Sequence, residues 1–312
     1  ADTNRTCDPL LRREMLYPLS YGGEADIVRP SGFFVYSLVS IAVLGGLMIS
    51  TIIPCFNAVE TLERAVNSCL IQPEVNEIIV VDDGSTDGSR ELAERLSASN
   101  AKVKALRMTV NSGPAAARNF GVLYGACPIM SFLDADDEYR EGALSVAYAA
   151  LSEHNQLSAV KLPCEFVGCP DKYRQHESFA EVCRTLGNTF AGNLVIRREV
   201  LFALGLFPQS PIYRQHGGED AVLMLGLSQN FQIGVLEQEQ ACVRVHFHAN
   251  SHSQLYFERC IKQVDDPAFI DDKDEVWHHS MKDVNQVNGL IALLGRNISS
   301  SEKGFVPIWK NN

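Results

Sequence analysis

The chain has 312 residues, with 27 Lys and Arg against 38 Asp and Glu, a formal net charge of −11, and 46% hydrophobic residues. That length and apolar content suit one large α/β domain with an extension, or two small domains. The acidic balance argues against a nucleic-acid partner gripped through its phosphates, but not against a single nucleotide held through a metal ion, whose charge reverses the local field.

Residues 1–46 read as an irregular N-terminal extension. An almost wholly apolar run, 33–53, is long enough to suggest a membrane span, but Gly45 and Gly46 interrupt it and its last part also reads as a strand. If residues 48–54 belong to a sheet, too few apolar residues remain to cross a bilayer comfortably. A buried or surface-packed segment is expected, and contact with a membrane surface stays open. From there strands and helices alternate: strand 48–54, helix 59–72, strand 77–82, helix 87–99 with Asp87 as N-cap, strand 103–108, helix 114–124, and strand 129–133 ending in Asp134. This spacing predicts a mostly parallel sheet with helices on both faces, in which ligands bind at the carboxyl ends of the strands. Pro54, Asp82, Asp83 and Asp134 all fall there. The second half is less regular, with apolar stretches at 158–167, 193–196 and 241–245 and a helix over 220–228. The tail beyond about residue 255 reads as a peripheral appendage. The expected division is therefore 1–46, 47–255 and 256–312, with the central part split near residue 137.

Four constellations stand out. The run Val80-Val81-Asp82-Asp83-Gly84-Ser85-Thr86-Asp87-Gly88-Ser89 has the spacing of a calcium loop if Asp83 is position one, with Gly88 at six and Glu94 at twelve. A calcium loop needs a helix on each side, however, and β-branched Ile78-Ile79-Val80-Val81 precedes this one as a strand. Strand, acids, turn and helix is the better reading. Asp134-Ala135-Asp136 places two acids one residue apart at a strand end, where both can reach one hard divalent ion together with substrate phosphates; the plain alternative is a solvated acidic turn capping a helix that starts near Arg140. In Asn111-Ser112-Gly113-Pro114-Ala115-Ala116-Ala117-Arg118, Gly113 and Pro114 start a helix with small residues on one face, and Arg118 either faces an anion or pairs with a core acid. Gly217-Gly218-Glu219-Asp220 frees the backbone ahead of an acid that can cap a helix or act as a general base.

Alternation over Val243-Arg244-Val245-His246-Phe247-His248 puts His246 and His248 on one strand face, as ligand or phosphate contacts or as structural residues. The nine cysteines are odd in number and scattered, which reads as free thiols of a reducing, cytoplasmic compartment. The gaps among Cys164, Cys169, His176 and Cys183 are wider than the tight pairs of structural zinc sites. Sequons at Asn4 and Asn297 matter only in a secreted chain.

With these residues in place the sequence resembles the family 2 glycosyltransferases of the GT-A fold. The resemblance is carried by Ser50-Thr51-Ile52-Ile53-Pro54-Cys55-Phe56-Asn57, by Val80 to Asp87, by Asn111 to Gly121, by Phe132-Leu133-Asp134-Ala135-Asp136-Asp137 and by Gly218-Glu219-Asp220, in the family's order and over roughly 48–253. It implies an α/β fold with a Rossmann-like nucleotide-sugar-binding half (47–137) and a smaller acceptor-binding half (138–255). It also implies transfer of a sugar, with inversion, from a nucleoside-diphosphate donor (UDP-linked by preference) to a saccharide, lipid-linked or other hydroxyl acceptor, in polysaccharide or glycoconjugate synthesis. Carried over by position, Pro54, Phe56 and Asp83 would line the nucleotide's base, with Arg118 a further donor contact. Asp134 and Asp136 would form the DXD motif that holds donor and Mn2+ or Mg2+. Asp220 would be the general base, and His246 a ligand beside the diphosphate, with His248 open because the segment is a residue longer than usual. Two rivals are a non-catalytic relative that binds a sugar nucleotide or a partner, and a nucleotidyltransferase. The latter lacks support, since no glycine-rich basic loop follows Pro54.

Overall fold

The first strand of the sheet, β1 (Ile49–Cys55), and its neighbour β2 (Val75–Asp82) are buried along nearly their whole length. Successive side chains leave a strand on opposite faces, and the core divides accordingly. Ile49, Ile53, Ile78 and Val80 join one apolar cluster beneath α1 (Leu62–Leu70) and α2 (Ser89–Ser99). Ile52, Ile79 and Val81 face the other way, toward α3 (Pro114–Tyr124). Burying each such side chain contributes about 1.5–3 kcal/mol, so the two-faced burial of these strands supplies much of the drive to fold. Gly121 of α3 sets how closely that helix approaches: a Cβ there would lie 2.5 Å from Cγ2 of Ile52. Overpacking of this kind costs about 1–3 kcal/mol.

These elements belong to a computed structural model that describes residues 48–238, 240–248, 251–265, 274–294 and 303–308. The N-terminal extension, the apolar run up to residue 47 and both sequons lie outside the described residues. After β2 come β3 (Val103–Arg107), β4 (Ile129–Phe132) and β5 (Glu138–Tyr139), then α4 (Ala143–Glu153), β6 (Leu157–Lys161), β7 (Cys164–Val167), α5 (Asp171–Arg174), α6 (Phe179–Thr189), β8 (Leu194–Arg197), α7 (Arg198–Ala203), α8 (Pro211–His216), α9 (Glu219–Asn230), β9 (Gln232–Leu236), β10 (Val243–His246), α10 (His252–Asp265), α11 (Asp274–Leu294) and β11 (Gly304–Ile308).

Eight strands form the main sheet in the order β11-β9-β6-β8-β4-β1-β2-β3, and β5, β10 and β7 form a small second sheet. Within the main sheet only β8 runs antiparallel to its neighbours β4 and β6. The expected α/β architecture, a mostly parallel sheet flanked by helices, is what forms.

The differences from expectation are local and have physical causes. The expected N-cap role passes from Asp87 to Gly88, which takes the left-handed conformation (φ 97°), while the Asp87 carboxylate accepts the Ser89 N–H at 3.0 Å. The helix expected from Arg140 starts later, at Ala143, because Glu138 and Tyr139 pair with β10 instead. The apolar stretch 158–167 breaks at Leu162 and Pro163 into β6 and β7, which belong to different sheets. The tail is more closely joined than an appendage: β11 extends the main sheet by pairing with β9 in register Gly304↔Gln232, and Val284 of α11 packs with Ala221 and Leu225 of α9. No helix among the described residues is long and apolar enough to cross a membrane.

Candidate active site

The chain passes from β1 through α1 to β2 and β3, then returns through α3 to β4 on the other side of β1. This reversal makes a crevice between the carboxyl ends of β1 and β4, the place where open α/β sheets bind ligands. β1 stays paired with β4 only as far as Ile52↔Phe132, but with β2 as far as Cys55↔Asp82. Pro54 and Phe56 therefore lie beyond the last pair on the open side, and Phe56, 46% exposed, presents its ring to solvent.

The two loops at the lip of the crevice are stitched together. Asn57 sits in the left-handed region (φ 51°), which asparagine tolerates better than most residues. Its N–H donates to Ser85 Oγ at 3.0 Å, and its Oδ1 accepts the Thr86 N–H at 2.8 Å. Ala58 N–H donates to Ser89 Oγ (2.7 Å) and Val59 N–H to Asp87 Oδ2 (3.1 Å). Burial alone would raise the Asp87 carboxyl, but hydrogen bonds from Ser89 and Val59 hold it below its usual range. Asp83, 2% exposed, accepts the Ser112 N–H on Oδ1 and the Gly113 N–H on Oδ2, each at 2.7 Å. It thus fastens the start of α3 to the end of β2. Asp82 accepts the Ser85 N–H on Oδ1 (3.1 Å), while its buried Oδ2 has no hydrogen-bond partner among the described residues.

On the other side of the crevice, Arg118 gathers the acids. It is 5% exposed; Nη2 donates to Asp134 Oδ1 at 2.8 Å and Nη1 to Glu219 Oε1 at 3.4 Å, and the guanidinium lies 5.5 Å from the centre of the Phe207 ring. Burial disfavours its charge, but Asp134, Glu219 and Asp220 outweigh that and hold its pKa above the ordinary value. Of the two readings open for Arg118, the structure has it pairing with acids. Asp220, 7% exposed, sits in the first turn of α9, behind Gly217 and Gly218 with φ of 72° and 99°. That left-handed backbone, natural to glycine, turns the chain so that Glu219 and Asp220 reach the same crevice.

The acidic turn after β4 is shared with β10. His248 Nε2 lies 2.9 Å from Asp136 Oδ2, and His246 Nε2 lies 3.1 Å from Glu138 Oε1. Asp137 accepts the His246 N–H (2.9 Å), and Arg64 donates to the Asp136 carbonyl. Burial, with Asp136 and Asp134 beside it, pushes the Asp137 carboxyl well above its usual range. Among the described residues no three His, Cys, Asp or Glu side chains form a ready-made metal cage. The cysteines near the imagined zinc cluster are free thiols, and burial raises Cys164 and Cys183 to about 12, so they stay protonated.

Asp134, Arg118 and Asp220 are therefore brought together, with Asp136 on the same turn as Asp134. The His246 ring goes to Glu138, whereas the histidine that reaches Asp136 is His248: β10 ends at His246, so strict alternation stops there. Asp83 gives an oxygen each to Ser112 and Gly113, at the start of α3. Sequence reasoning missed Glu219 as the second acid on Arg118, and Asn57, Ser85 and Ser89 as the stitches of the lip. For Glu219, its place beside Asp220 after two glycines was the available signal.

The model of the family described as Glycosyl transferase family 2 matches residues 50–207, about half of the chain. Succinoglycan biosynthesis protein ExoU of Rhizobium meliloti is 42% identical over 93 residues, covering 30% of this chain and 27% of that protein. The chain thus spans well under two thirds of such curated relatives. Among solved structures, S. aureus TarS in complex with UDP-GlcNAc is similar with a TM-score of 0.52 at 18% identity, covering 80% of this chain and 74% of that one. Mannosyltransferase PcManGT from Pyrobaculum calidifontis, in complex with GDP-Man and Mn2+, is similar with a TM-score of 0.54 at 17% identity, covering 92% and 83%. The likenesses in structure fix the GT-A fold, and with the family match over the crevice-forming segments they lead to one conclusion: this chain belongs to glycosyl transferase family 2.

Proposed function

We propose that the protein transfers a sugar, with inversion at the anomeric carbon, from a nucleoside-diphosphate sugar to a hydroxyl acceptor in the building of a polysaccharide or glycoconjugate. The observation that carries this reading is the convergence of Asp134, Glu219 and Asp220 on buried Arg118 at the crevice where β1 and β4 part. A UDP-linked donor is the favoured class; UDP-GlcNAc and GDP-Man are bound by the two structural neighbours. Residues 47–137 form the donor half in this reading, with Pro54 and exposed Phe56 against the base. Buried Asp82 Oδ2 is available to a donor group of the nucleoside beside Asp83.

Asp220 acts as the general base. It takes the proton from the acceptor hydroxyl as that oxygen bonds to the anomeric carbon, from the face opposite the departing diphosphate, and the bond from that carbon to the phosphate oxygen breaks. No covalent intermediate with the protein is required. The side chains fit a divalent ion: Asp136 offers a partly exposed carboxylate within reach of His248, and such ions are commonly held by one or two carboxylates plus substrate phosphates. Asp136 and His248, with Asp134 beside them, would hold Mn2+ or Mg2+; His246, engaged with Glu138, fits the role less well. When bound, the ion neutralises charge on the diphosphate. Arg118 keeps Asp134 and the start of α9 in register, so that donor and base meet at one point.

Asp220→Asn is expected to keep donor affinity and lower turnover by about 10²–10⁴-fold, the range for loss of a general base. Transfer at the wild-type rate would overturn the assignment.

A further inference from the structure

Arg64, Ser68 and Gln72 are spaced four apart, and the helical backbone of α1 runs on through Ile71, so all three share one face. Each bonds to the main chain of a single segment, the one that carries the acids after β4. Arg64 Nη2 donates to the Asp136 carbonyl, and Ser68 Oγ accepts the Tyr139 N–H at 3.0 Å. Gln72 Nε2 donates to the Arg140 carbonyl at 2.9 Å, while its Oε1 accepts the Leu144 N–H at 3.3 Å. The same helix begins at the lip of the crevice. Leu62 N–H donates to the Ala58 carbonyl at 2.9 Å, and Ala58 and Val59 are bonded to Ser89 and Asp87. α1 is thus a strut between the lip and the acidic turn.

Ser68 and Gln72 are buried and anchor the segment from Tyr139 onward. Arg64 is different, because its bond falls on the residue whose own carboxylate is turned partly to solvent. Its Nε is buried with no hydrogen-bond partner among the described residues. A buried donor left unpaired is unfavourable, so stability alone would be better served here by an apolar side chain. We infer that Arg64 is a positioning residue of the transfer: by holding the Asp136 main chain it fixes the orientation in which the Asp136 carboxylate meets a divalent ion. The inference rests on the sugar transfer proposed above and adds a residue of α1 to it. The rival role is charge alone, since the Arg64 cation also acts on buried Asp137. The two roles have opposite signs. Removing a cation beside acids strengthens their attraction for a metal ion. Releasing the support of a metal-binding side chain weakens it, commonly by about 10–100-fold in metal affinity.

Arg64→Met, Arg64→Lys and Ser68→Ala separate these roles. Lysine keeps the charge and a donor for the single bond to Asp136. Ser68→Ala frees the Tyr139 N–H of the same segment with no change of charge, and serves if Arg64→Met does not fold. Mn2+ binding would be followed by electron paramagnetic resonance in the presence of UDP or GDP, whichever the wild type binds. Amide exchange would be read separately in EDTA, at Asp137 and Tyr139 of the turn and at Thr86 and Ser89 of the lip. The expected result is Mn2+ affinity at least about tenfold weaker in Arg64→Met, near wild type in Arg64→Lys, and weakened by a smaller factor in Ser68→Ala. Exchange in Arg64→Met should quicken at the turn and stay unchanged at the lip. Mn2+ held as tightly as by the wild type, or more tightly, in Arg64→Met and Ser68→Ala would overturn the inference. So would exchange quickened equally at turn and lip, the mark of a loosened fold. A wild type that binds no Mn2+ with either nucleotide would count against metal-assisted transfer itself, and the inference would fall with it.

Discussion

Asp83, just past the end of β2, and Glu165, within β7, are both carboxylates, and they are held in opposite ways. Asp83, 2% exposed, gives each oxygen to a backbone N–H at 2.7 Å. Glu165, its side chain 39% exposed, gives Oε2 to Arg140 at 2.9 Å and to Arg244 at 3.0 Å. At the lip of the crevice the loops are fixed by hydrogen bonds between side chains and main chain, as at Asp83 and Asn57. At the small second sheet Glu165 is held instead by two long, partly exposed arginine side chains.

The largest effect should come at buried Arg118. Arg118→Met removes the common partner of Asp134 and Glu219, and breaking a buried pair costs about 3–5 kcal/mol. Denaturant titration should find that loss together with weakened donor binding and turnover; a stable, fully active variant would mean that other contacts hold Asp134 and Glu219 in place. Next, Asp83→Asn leaves one of the two loop amides facing an NH2 group, for about 1–3 kcal/mol. The loop 111–113 should loosen, read as faster amide exchange at Ser112 and Gly113.

Asp137 tests the acidic turn between β4 and β5. Its carboxyl is raised well above the ordinary 3.8 by burial and then by Asp136 and Asp134. A raised folded pKa stabilises fully below the unfolded value and is lost as pH rises through the folded one. Asp137→Asn, uncharged throughout and still able to accept the His246 N–H, should thus be more stable than wild type at neutral pH, with the difference vanishing below about pH 4. A pH-independent difference in thermal melting would exclude that origin. Smallest of all, Glu165→Gln should change stability by about 0–1 kcal/mol, as exposed ion pairs do, and less still at high salt.

The sequence was most legible where local chemistry and tertiary demand agree. Helix Pro114–Tyr124 has Gly113 before a proline at its first position and Gly125 after its last turn, and its bounds come out as read. The apolar runs of β1, β2 and β4 were readable because parallel strands buried on both faces leave no polar alternation to confuse them. The 158–167 stretch misled because Leu162 and Pro163 continue the apolar run while the chain changes sheets. β11 could not be foreseen: Gly304–Ile308 contains Pro307, and only its place at the edge of the sheet makes that proline acceptable in a strand. In the site, residue types and order pointed to Asp134, Asp136 and Asp220, but which group each one touches depends on side chains from other elements of the fold. Arg118 and Glu219 meet across 101 positions, and His248 reaches Asp136 across 112.

Calorimetric titration of the whole chain with UDP-N-acetylglucosamine and GDP-mannose, in Mn2+ and again in EDTA, tests most directly whether the crevice is a donor site. Saturable binding of one sugar nucleotide in Mn2+, weakened by EDTA and by Asp136→Ala, is the expected result. Failure of both donors to bind in Mn2+, or binding that neither EDTA nor Asp136→Ala alters, would contradict the role given to the acids at the end of β4.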